Sequence, residues 1–267
     1  MSRSALQGAE DVEAIRDYVL PLVLVRQTTP EECELESIQG TGFLLRGGRG
    51  LGVTAGHVAK ALRAGDQAGK IPGAIFWPAS GGRRFATISS ISFHESQDVA
   101  LFRIADDDYH SPLEMRKEQS SAPAGYMLFG YPEDTYYERM SEGAGLTPDL
   151  VYSEGHLRRS VGFPLPIDKI PGRAFYELSM PAGGGCSGAA VTLRIPPDPY
   201  GVIGIYVGEV RNENGTFAVG YAARTDELAD QWPELFMQAS DLAALCPLPP
   251  KTVEEALQML RRSLPRP

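Results

Sequence analysis

Cysteine is scarce in this sequence. The 267 residues include three cysteines, Cys33, Cys186 and Cys246. Their number is odd and none of them forms a C-x-x-C motif, so neither a disulfide framework nor a zinc site is indicated. We predict no bound metal and no other cofactor, and the cysteine usage is typical of an intracellular protein.

Long apolar runs are also lacking. The longest, over 18–25, is much shorter than the roughly 20 residues that a membrane-spanning helix needs. Residues 1–11 have no apolar core of the kind that a secretory signal carries, and they turn acidic at Glu10 and Asp11. From the sequence we expect a cytoplasmic protein without a membrane partner.

Basic residues are outnumbered. There are 25 Lys and Arg against 34 Asp and Glu, which gives a formal net charge of −9. The basic pairs at 83–84, 158–159 and 261–262 are scattered along the chain. Because nucleic-acid binding depends on clustered Lys and Arg, we expect no nucleic-acid partner.

Glycine and proline, by contrast, are abundant, with 29 and 21 residues, more than average usage gives. They separate short apolar or alternating runs, which predict strands. The first six predicted strands cover 20–26, 42–46, 50–54, 74–77, 85–93 and 99–104. A second series covers 125–131, 150–156, 175–180, 189–195, 202–207 and 217–221. Two sets of six strands favour two antiparallel barrels.

Helical spacing is confined to the two ends of the chain. It predicts a short helix over 11–18 and two helices over 226–237 and 253–262, the last two separated by a proline-rich stretch. The predicted division of the chain is an N-terminal extension 1–19, a first barrel 20–115, a second barrel 116–225 and a C-terminal helical extension 226–267.

Residues 183–188 read Gly-Gly-Gly-Cys-Ser-Gly and stand directly before an apolar run. Glycines tolerate positive φ, so such a turn can point consecutive amides into one small space where an oxyanion would sit. Ser187 is therefore the candidate nucleophile, and the backbone N–H groups of Gly185 and Ser187 are the candidate oxyanion-hole donors. No Lys-Ser or Lys-Thr follows the glycines, which argues against a phosphate loop.

A serine hydroxyl is a weak nucleophile, so it needs a base and a group that orients the base. His57 follows a short apolar run, and Asp98 stands at the start of another. The chain order His, Asp, Ser is one of the known orders of a catalytic triad. An α/β-hydrolase would have the serine first, in a G-x-S-x-G elbow, but Ala189 occupies the last position of that pattern here.

These motifs resemble those of the trypsin-like (chymotrypsin-fold) serine peptidases, especially the bacterial HtrA-type and glutamyl-endopeptidase-like branches. TAGH at 54–57 resembles T-A-x-H, DVAL at 98–101 resembles D-[IV]-A-L, and GCSG at 185–188 resembles G-x-S-G. GVIGI at 201–205 is similar to the strand that follows the nucleophile. The resemblance implies an all-β fold of two six-stranded antiparallel barrels, with short N-terminal and C-terminal helices.

The resemblance also implies a role for each residue. His57 would act as general base and then as general acid, Asp98 would hold its tautomer, and Ser187 would form the acyl-enzyme. Cys186 stands where the secreted digestive enzymes carry an aspartate that pairs with a newly cut N-terminus. That activation route is therefore not expected, and we expect control by a regulatory protein partner, a mobile loop or a poorly formed oxyanion hole.

Two residues offer alternatives within the same site. His94 lies four residues before Asp98, but no T-A-x-H sequence surrounds it. Cys186 could replace the serine as nucleophile, as in viral relatives of the fold. The family's nucleophile is followed by glycine, which fits Ser187 and does not fit Cys186.

The specificity pocket is also inferred from the resemblance. Its base would lie six positions before the nucleophile, at Pro181, where a trypsin would have an aspartate. The histidine that glutamyl-specific relatives place after the nucleophile is missing, because none of the four histidines lies beyond Ser187. We expect a small or apolar P1 residue, the residue on the acyl side of the cleaved bond. The predicted pocket walls are Pro181, Ala182, Ile205, Tyr206 and Val207.

The sequence therefore predicts an intracellular serine endopeptidase that acts on a protein or peptide substrate. One alternative is a catalytically silent module of the same fold that binds peptides or serves as a scaffold. Another is the same chemistry applied to esters or to acyl transfer.

Overall fold

The structure is a computed structural model that describes residues 14–28, 33–77, 82–135, 148–165, 167, 170–194, 200–212, 214 and 218–246. The helix predicted over 253–262 lies outside these residues. Of the helix predicted over 11–18, the described part begins at Ala14, and Ala14 and Ile15 are helical. Within the described ranges, no helix has the length and apolar character needed to cross a membrane.

The first barrel is a closed ring of six strands, joined antiparallel in the order β1-β2-β3-β6-β5-β4. Some of its strands are joined by segments that contain glycine, such as residues 45–50. They are β1 (Val19–Gln27), β2 (Cys33–Leu44), β3 (Leu51–Ala55), β4 (Ile71–Phe76), β5 (Arg84–Phe93) and β6 (Val99–Ile104).

The second half of the chain forms a sheet whose strands run in the order β11-β8-β9-β10-β13-β12-β7, and a further β11–β12 pairing closes six of them into a ring. The two-residue strand β7 pairs parallel with β12. The bounds are β7 (Glu114–Met115), β8 (Gly125–Gly130), β9 (Val151–Val161), β10 (Phe175–Leu178), β11 (Ala190–Leu193), β12 (Gly201–Arg211) and β13 (Ala218–Arg224). The predicted fold class is confirmed, whereas the domain boundaries stay a prediction.

One apolar cluster draws side chains from every strand of the second ring. Strands β8 and β10 each contribute two alternate residues, which face the same side of the strand. We call this cluster the second-barrel core; it comprises Tyr126, Leu128, Leu157, Tyr176, Leu178, Cys186, Ala189, Val191, Ile203, Tyr206 and Ala222. It therefore holds one residue of the glycine turn, Cys186, and one predicted pocket residue, Tyr206.

The helices differ from the sequence prediction. Helix α1 (Gly56–Gln67) was not predicted, although Val58, Leu62 and Gly65 recur on one face and are buried there. The helix predicted over 226–237 is wrong. Two 3₁₀ turns, Asp226–Leu228 and Pro233–Phe236, occupy that segment, because Pro233 has no N–H to continue a helix. Helix α2 (Ala239–Leu245) follows.

Candidate active site

His57 stands where β3 ends and α1 begins, in the first turn of the helix. The preceding residue, Gly56, donates its N–H to the carbonyl of Asp98 at 2.9 Å. A Cβ on Gly56 would lie 2.8 Å from the Asp98 carboxylate, so a glycine is needed for this close approach. The glycine that precedes His57 therefore allows the histidine to lie directly beside the start of β6.

Both carboxylate oxygens of Asp98 contact His57. Oδ1 accepts the backbone N–H of His57 at 2.9 Å, and Oδ2 lies 2.6 Å from the ring Nδ1. The Asp98 side chain is fully buried, whereas that of His57 is 32% exposed. An ionised carboxylate can only accept, so in the neutral imidazole Nδ1 carries the proton and Nε2 is left as an acceptor. This is the tautomer that a general base needs.

Ser187 lies in the turn that leads into β11, and this turn packs on the first barrel. The carbonyl of Ser187 accepts the N–H of Thr41 at 2.8 Å. Gly188 has φ 95°, and a Cβ there would lie 2.0 Å from the Thr41 carbonyl and 3.0 Å from the Ala55 nitrogen. The structure thus brings His57 and Asp98 into direct contact. It also packs the serine turn against Ala55, two residues before His57.

The Gly184–Gly185 peptide has a defined orientation. The Gly184 carbonyl accepts the N–H of Glu133 at 2.7 Å. The C=O and N–H of a trans peptide point in opposite directions, so the Gly185 N–H faces away from Glu133. In the described part of the chain, neither the Gly185 nor the Ser187 amide donates a hydrogen bond.

Thr41 is a site residue that the sequence reasoning missed. Its hydroxyl donates to the Gly185 carbonyl at 2.9 Å and accepts the N–H of Tyr131 at 3.0 Å. Thr41 is completely buried, and its carbonyl accepts the Thr54 hydroxyl at 2.7 Å. The one signal in the sequence was a polar residue between two glycines, at 40–42, directly before the apolar run 43–45.

The alternative base, His94, contacts the backbone of Ser96 and Gln97 and the ring of Trp232. Its Nδ1 accepts the backbone N–H groups of Ser96 and Gln97, at 3.3 and 3.1 Å. Its ring packs edge-on against Trp232 with 5.1 Å between centroids, and burial lowers the pKa of the imidazole. His94 therefore shapes the turn that presents Asp98, whereas the carboxylate of Asp98 is used by His57.

The alternative nucleophile, Cys186, points into the second-barrel core. It is 2% exposed, and its thiol donates to the Ala182 carbonyl at 3.1 Å. Burial raises its pKa to about 12. Since the thiolate and not the thiol is the nucleophile, this side chain is inert at neutral pH and fills space behind the turn.

Iodoacetamide at pH 8 is expected to leave Cys186 unmodified in the folded protein. The pKa near 12 keeps the group as a thiol at that pH, and burial blocks the reagent. Mass spectrometry of the peptide that contains Cys186 measures the adduct, and the same protein unfolded in urea serves as the control in which alkylation proceeds. Rapid alkylation of the native protein would contradict this assignment of Cys186.

The five predicted pocket residues do not share one face. The side chains of Ile205 and Val207 pack in a different apolar cluster from that of Tyr206, because consecutive residues of a strand point to opposite sides. Ala182 packs against the second-barrel core, and its N–H donates to the Tyr206 hydroxyl at 3.0 Å. Ile205 and Val207 could therefore line the space beside the Tyr206 ring only with their backbone, and the five-residue pocket stays a prediction.

Two six-stranded β-barrels, with a buried carboxylate on a histidine beside a glycine-rich serine turn, define the class of two-barrel serine hydrolases. The model of the trypsin-like peptidase domain family matches residues 40–194, which is more than half of the chain. The chain belongs to this family and is a serine peptidase. No curated protein has a significantly similar sequence.

Solved structures with the same fold are distant in sequence. The HtrA-type protease AlgW with a decapeptide has TM-score 0.54 and 15% identity, and the match covers 85% of this chain but 66% of that one. The active form of the Rv3671c protease from M. tuberculosis has TM-score 0.54 and 18% identity, over 88% and 87% of the two chains. The MamO protease domain from Magnetospirillum magneticum has TM-score 0.57 and 11% identity, over 82% and 97%. At these identities the likeness concerns the fold.

Proposed function

We propose that this protein is an intracellular serine endopeptidase that cleaves peptide bonds through His57, Asp98 and Ser187. The observation that carries the proposal is the 2.6 Å contact between His57 Nδ1 and the buried Asp98 carboxylate, next to a serine turn packed on Ala55. A protein or peptide is the proposed substrate, in keeping with the decapeptide named for the AlgW structure.

In the proposed acylation step, the Ser187 hydroxyl attacks the carbonyl carbon of the scissile bond. The Oγ–C bond forms as the Oγ proton passes to Nε2 of His57, and the charge on the imidazolium is stabilised by Asp98. The tetrahedral intermediate then collapses, the C–N bond breaks, and Nε2 gives its proton to the leaving amine. Water repeats the sequence on the acyl-enzyme, which releases the acid and restores the serine.

The amides of Gly185 and Ser187 are the proposed donors to the oxyanion. The orientation of the Gly184–Gly185 peptide supports this assignment. The Glu133 N–H donates to the Gly184 carbonyl and so fixes the direction of the Gly185 N–H. Donors fixed before the reaction stabilise the developing charge without reorganising, which makes such sites effective. The proposed control by a regulatory protein partner would act by displacing Glu133, which fixes this peptide, or by moving the turn itself.

The proposed P1 residue is small or apolar. Pro181 brings no charge to the base of the pocket, and the neighbouring Ala182 is small and partly buried. The proposed cytoplasmic location is supported by the sparse, unpaired cysteine pattern of the sequence.

A fluorophosphonate probe is expected to label this protein at Ser187, because the reagent reacts with a serine activated by a neighbouring base. Mass spectrometry of the labelled peptide locates the adduct. The Ser187→Ala variant is expected to fold with the same circular dichroism and to remain unlabelled. The Cys186→Ser variant is the matched control and should retain labelling. Folded protein that does not react would instead favour the silent binding module.

A further inference from the structure

We propose that Tyr206 sets the size of the P1 residue, because its phenol ring occupies the space that a P1 side chain would enter. Glycine and alanine are then the P1 residues that the enzyme accepts. This inference rests on the proposed endopeptidase function. It goes further by naming the side chain that determines specificity and the substrate class that follows from it.

The ring reaches from β12 to the chain that leads into the serine turn. Tyr206 is fully buried in the second-barrel core. Its hydroxyl oxygen accepts the N–H of Ala182 at 3.0 Å, next to Pro181, where the resemblance puts the base of the primary pocket. The ring therefore crosses the gap between the two chain segments that would bound this pocket.

The third boundary of this space is Gly220 on β13. A Cβ on Gly220 would lie 2.9 Å from Cε2 of the Tyr206 ring and 3.0 Å from the Met180 carbonyl oxygen. Both distances are shorter than van der Waals contact, so there is no room for even a methyl group between the ring and this strand. A larger P1 side chain could enter here only if the ring moved away.

Glu209 holds the ring in place at its outer end. The Tyr206 hydroxyl donates to Oε2 of Glu209 at 3.0 Å, and the same oxygen accepts the N–H of Gly183 at 3.0 Å. Oε1 of Glu209 is held by Arg211 at 2.6 Å. A movement of the ring would separate the hydroxyl from the Ala182 amide and from a charged acceptor, and hydrogen bonds to charged groups are the stronger ones.

The phenol remains a donor throughout the working pH range. Burial raises the pKa of Tyr206, and the nearby Glu209 raises it further, so the hydroxyl stays protonated beside the carboxylate. The contact therefore gives Tyr206 one fixed position rather than a set of rotamers. A fixed ring imposes a size limit, whereas a mobile ring would adapt to the substrate.

The test is the P1 profile of Tyr206→Val beside that of Tyr206→Phe, measured with peptide substrates that differ only in P1. Valine removes the ring, and the ratio of kcat/KM for leucine to that for alanine is expected to rise by at least about tenfold, the range that pocket volume controls. Phenylalanine keeps the ring but loses the two hydrogen bonds of the hydroxyl, so the same ratio should rise by less than in Tyr206→Val. A profile of Tyr206→Val that still rejects leucine would overturn the inference.

A second measurement uses the unaltered protein, so the result does not depend on whether Tyr206→Val folds. Peptide boronic acids with glycine, alanine, valine, leucine or phenylalanine at P1 are titrated against it. Inhibition is expected to weaken steadily beyond alanine. Tight inhibition by the leucine or phenylalanine compound, in protein that the fluorophosphonate labels, would overturn the role of Tyr206 and keep the endopeptidase. Absence of labelling would overturn both.

Discussion

Replacement of Asp98 by asparagine is expected to lower kcat by about 10⁴-fold while the protein remains folded. The two oxygens of Asp98 have different partners, the backbone N–H of His57 and its ring Nδ1. Asparagine has a single acceptor oxygen. If this oxygen keeps the backbone N–H, the amide nitrogen faces Nδ1 and donates to it. The ring proton then moves to Nε2, which can no longer accept the proton of Ser187.

Steady-state kinetics on a peptide amide, with nitrogen NMR of the histidine ring, measures both parts of this expectation. The rate should fall, and the tautomer should change from Nδ1–H to Nε2–H. Ser187→Ala is the control for the tautomer, because it removes the nucleophile and leaves the Asp98 pair intact. A kcat for Asp98→Asn within tenfold of the unaltered enzyme would contradict the assigned role of Asp98.

The Gly185→Ala variant is expected to lose a factor of about 10² to 10³ in kcat, the usual effect of losing one oxyanion donor. Gly185 has φ 87°, which L residues other than glycine adopt at a cost. A Cβ there would lie 2.4 Å from the Tyr131 carbonyl oxygen and 2.9 Å from the Glu133 nitrogen. Both are backbone atoms, which cannot move aside as a flexible side chain can. The backbone of the turn must therefore rotate, and this changes the direction of the Gly185 N–H.

The adjacent glycine supplies the matched control. A Cβ on Gly184 would lie 3.5 Å from the Glu133 carboxylate, an ordinary contact, and Gly184 does not have a positive φ. Gly184→Ala is therefore expected to lose much less activity than Gly185→Ala. Thermal unfolding of both variants separates a local change of the turn from loss of the fold. Equal kinetic losses in the two variants would contradict the proposed orientation of the oxyanion turn.

The sequence was informative where function depends on short contiguous motifs. The strands next to His57 and Asp98, β3 and β6, were predicted within a few residues, because apolar alternation is a local property. The contact between these two residues could be anticipated only from the order of the motifs. Helix α1 was missed because its small residues, alanine and glycine, give a weak apolar stripe.

The residues that hold the site in position were not predictable in the same way. Thr41 and Glu133 act through hydrogen bonds to the turn at 184–187, more than 40 residues away along the chain. The hydrogen bond between the Ala182 amide and the Tyr206 hydroxyl joins residues 24 positions apart in the chain, in a barrel whose closure no local pattern specifies. Such partners are fixed by strand register, and a single sequence gives little information about register across long separations.

The position of Thr41 has a consequence for how activity arises during synthesis. A strand of the first barrel supplies the hydrogen bonds that fix the Gly185 and Ser187 carbonyls, while the proposed nucleophile comes from the second barrel. A nascent chain that has emerged only as far as β6 would carry the imidazole and its carboxylate but no serine to activate. Proteolytic competence would therefore arise in one late event, the docking of the two halves, and an unfinished chain would have no activity of its own.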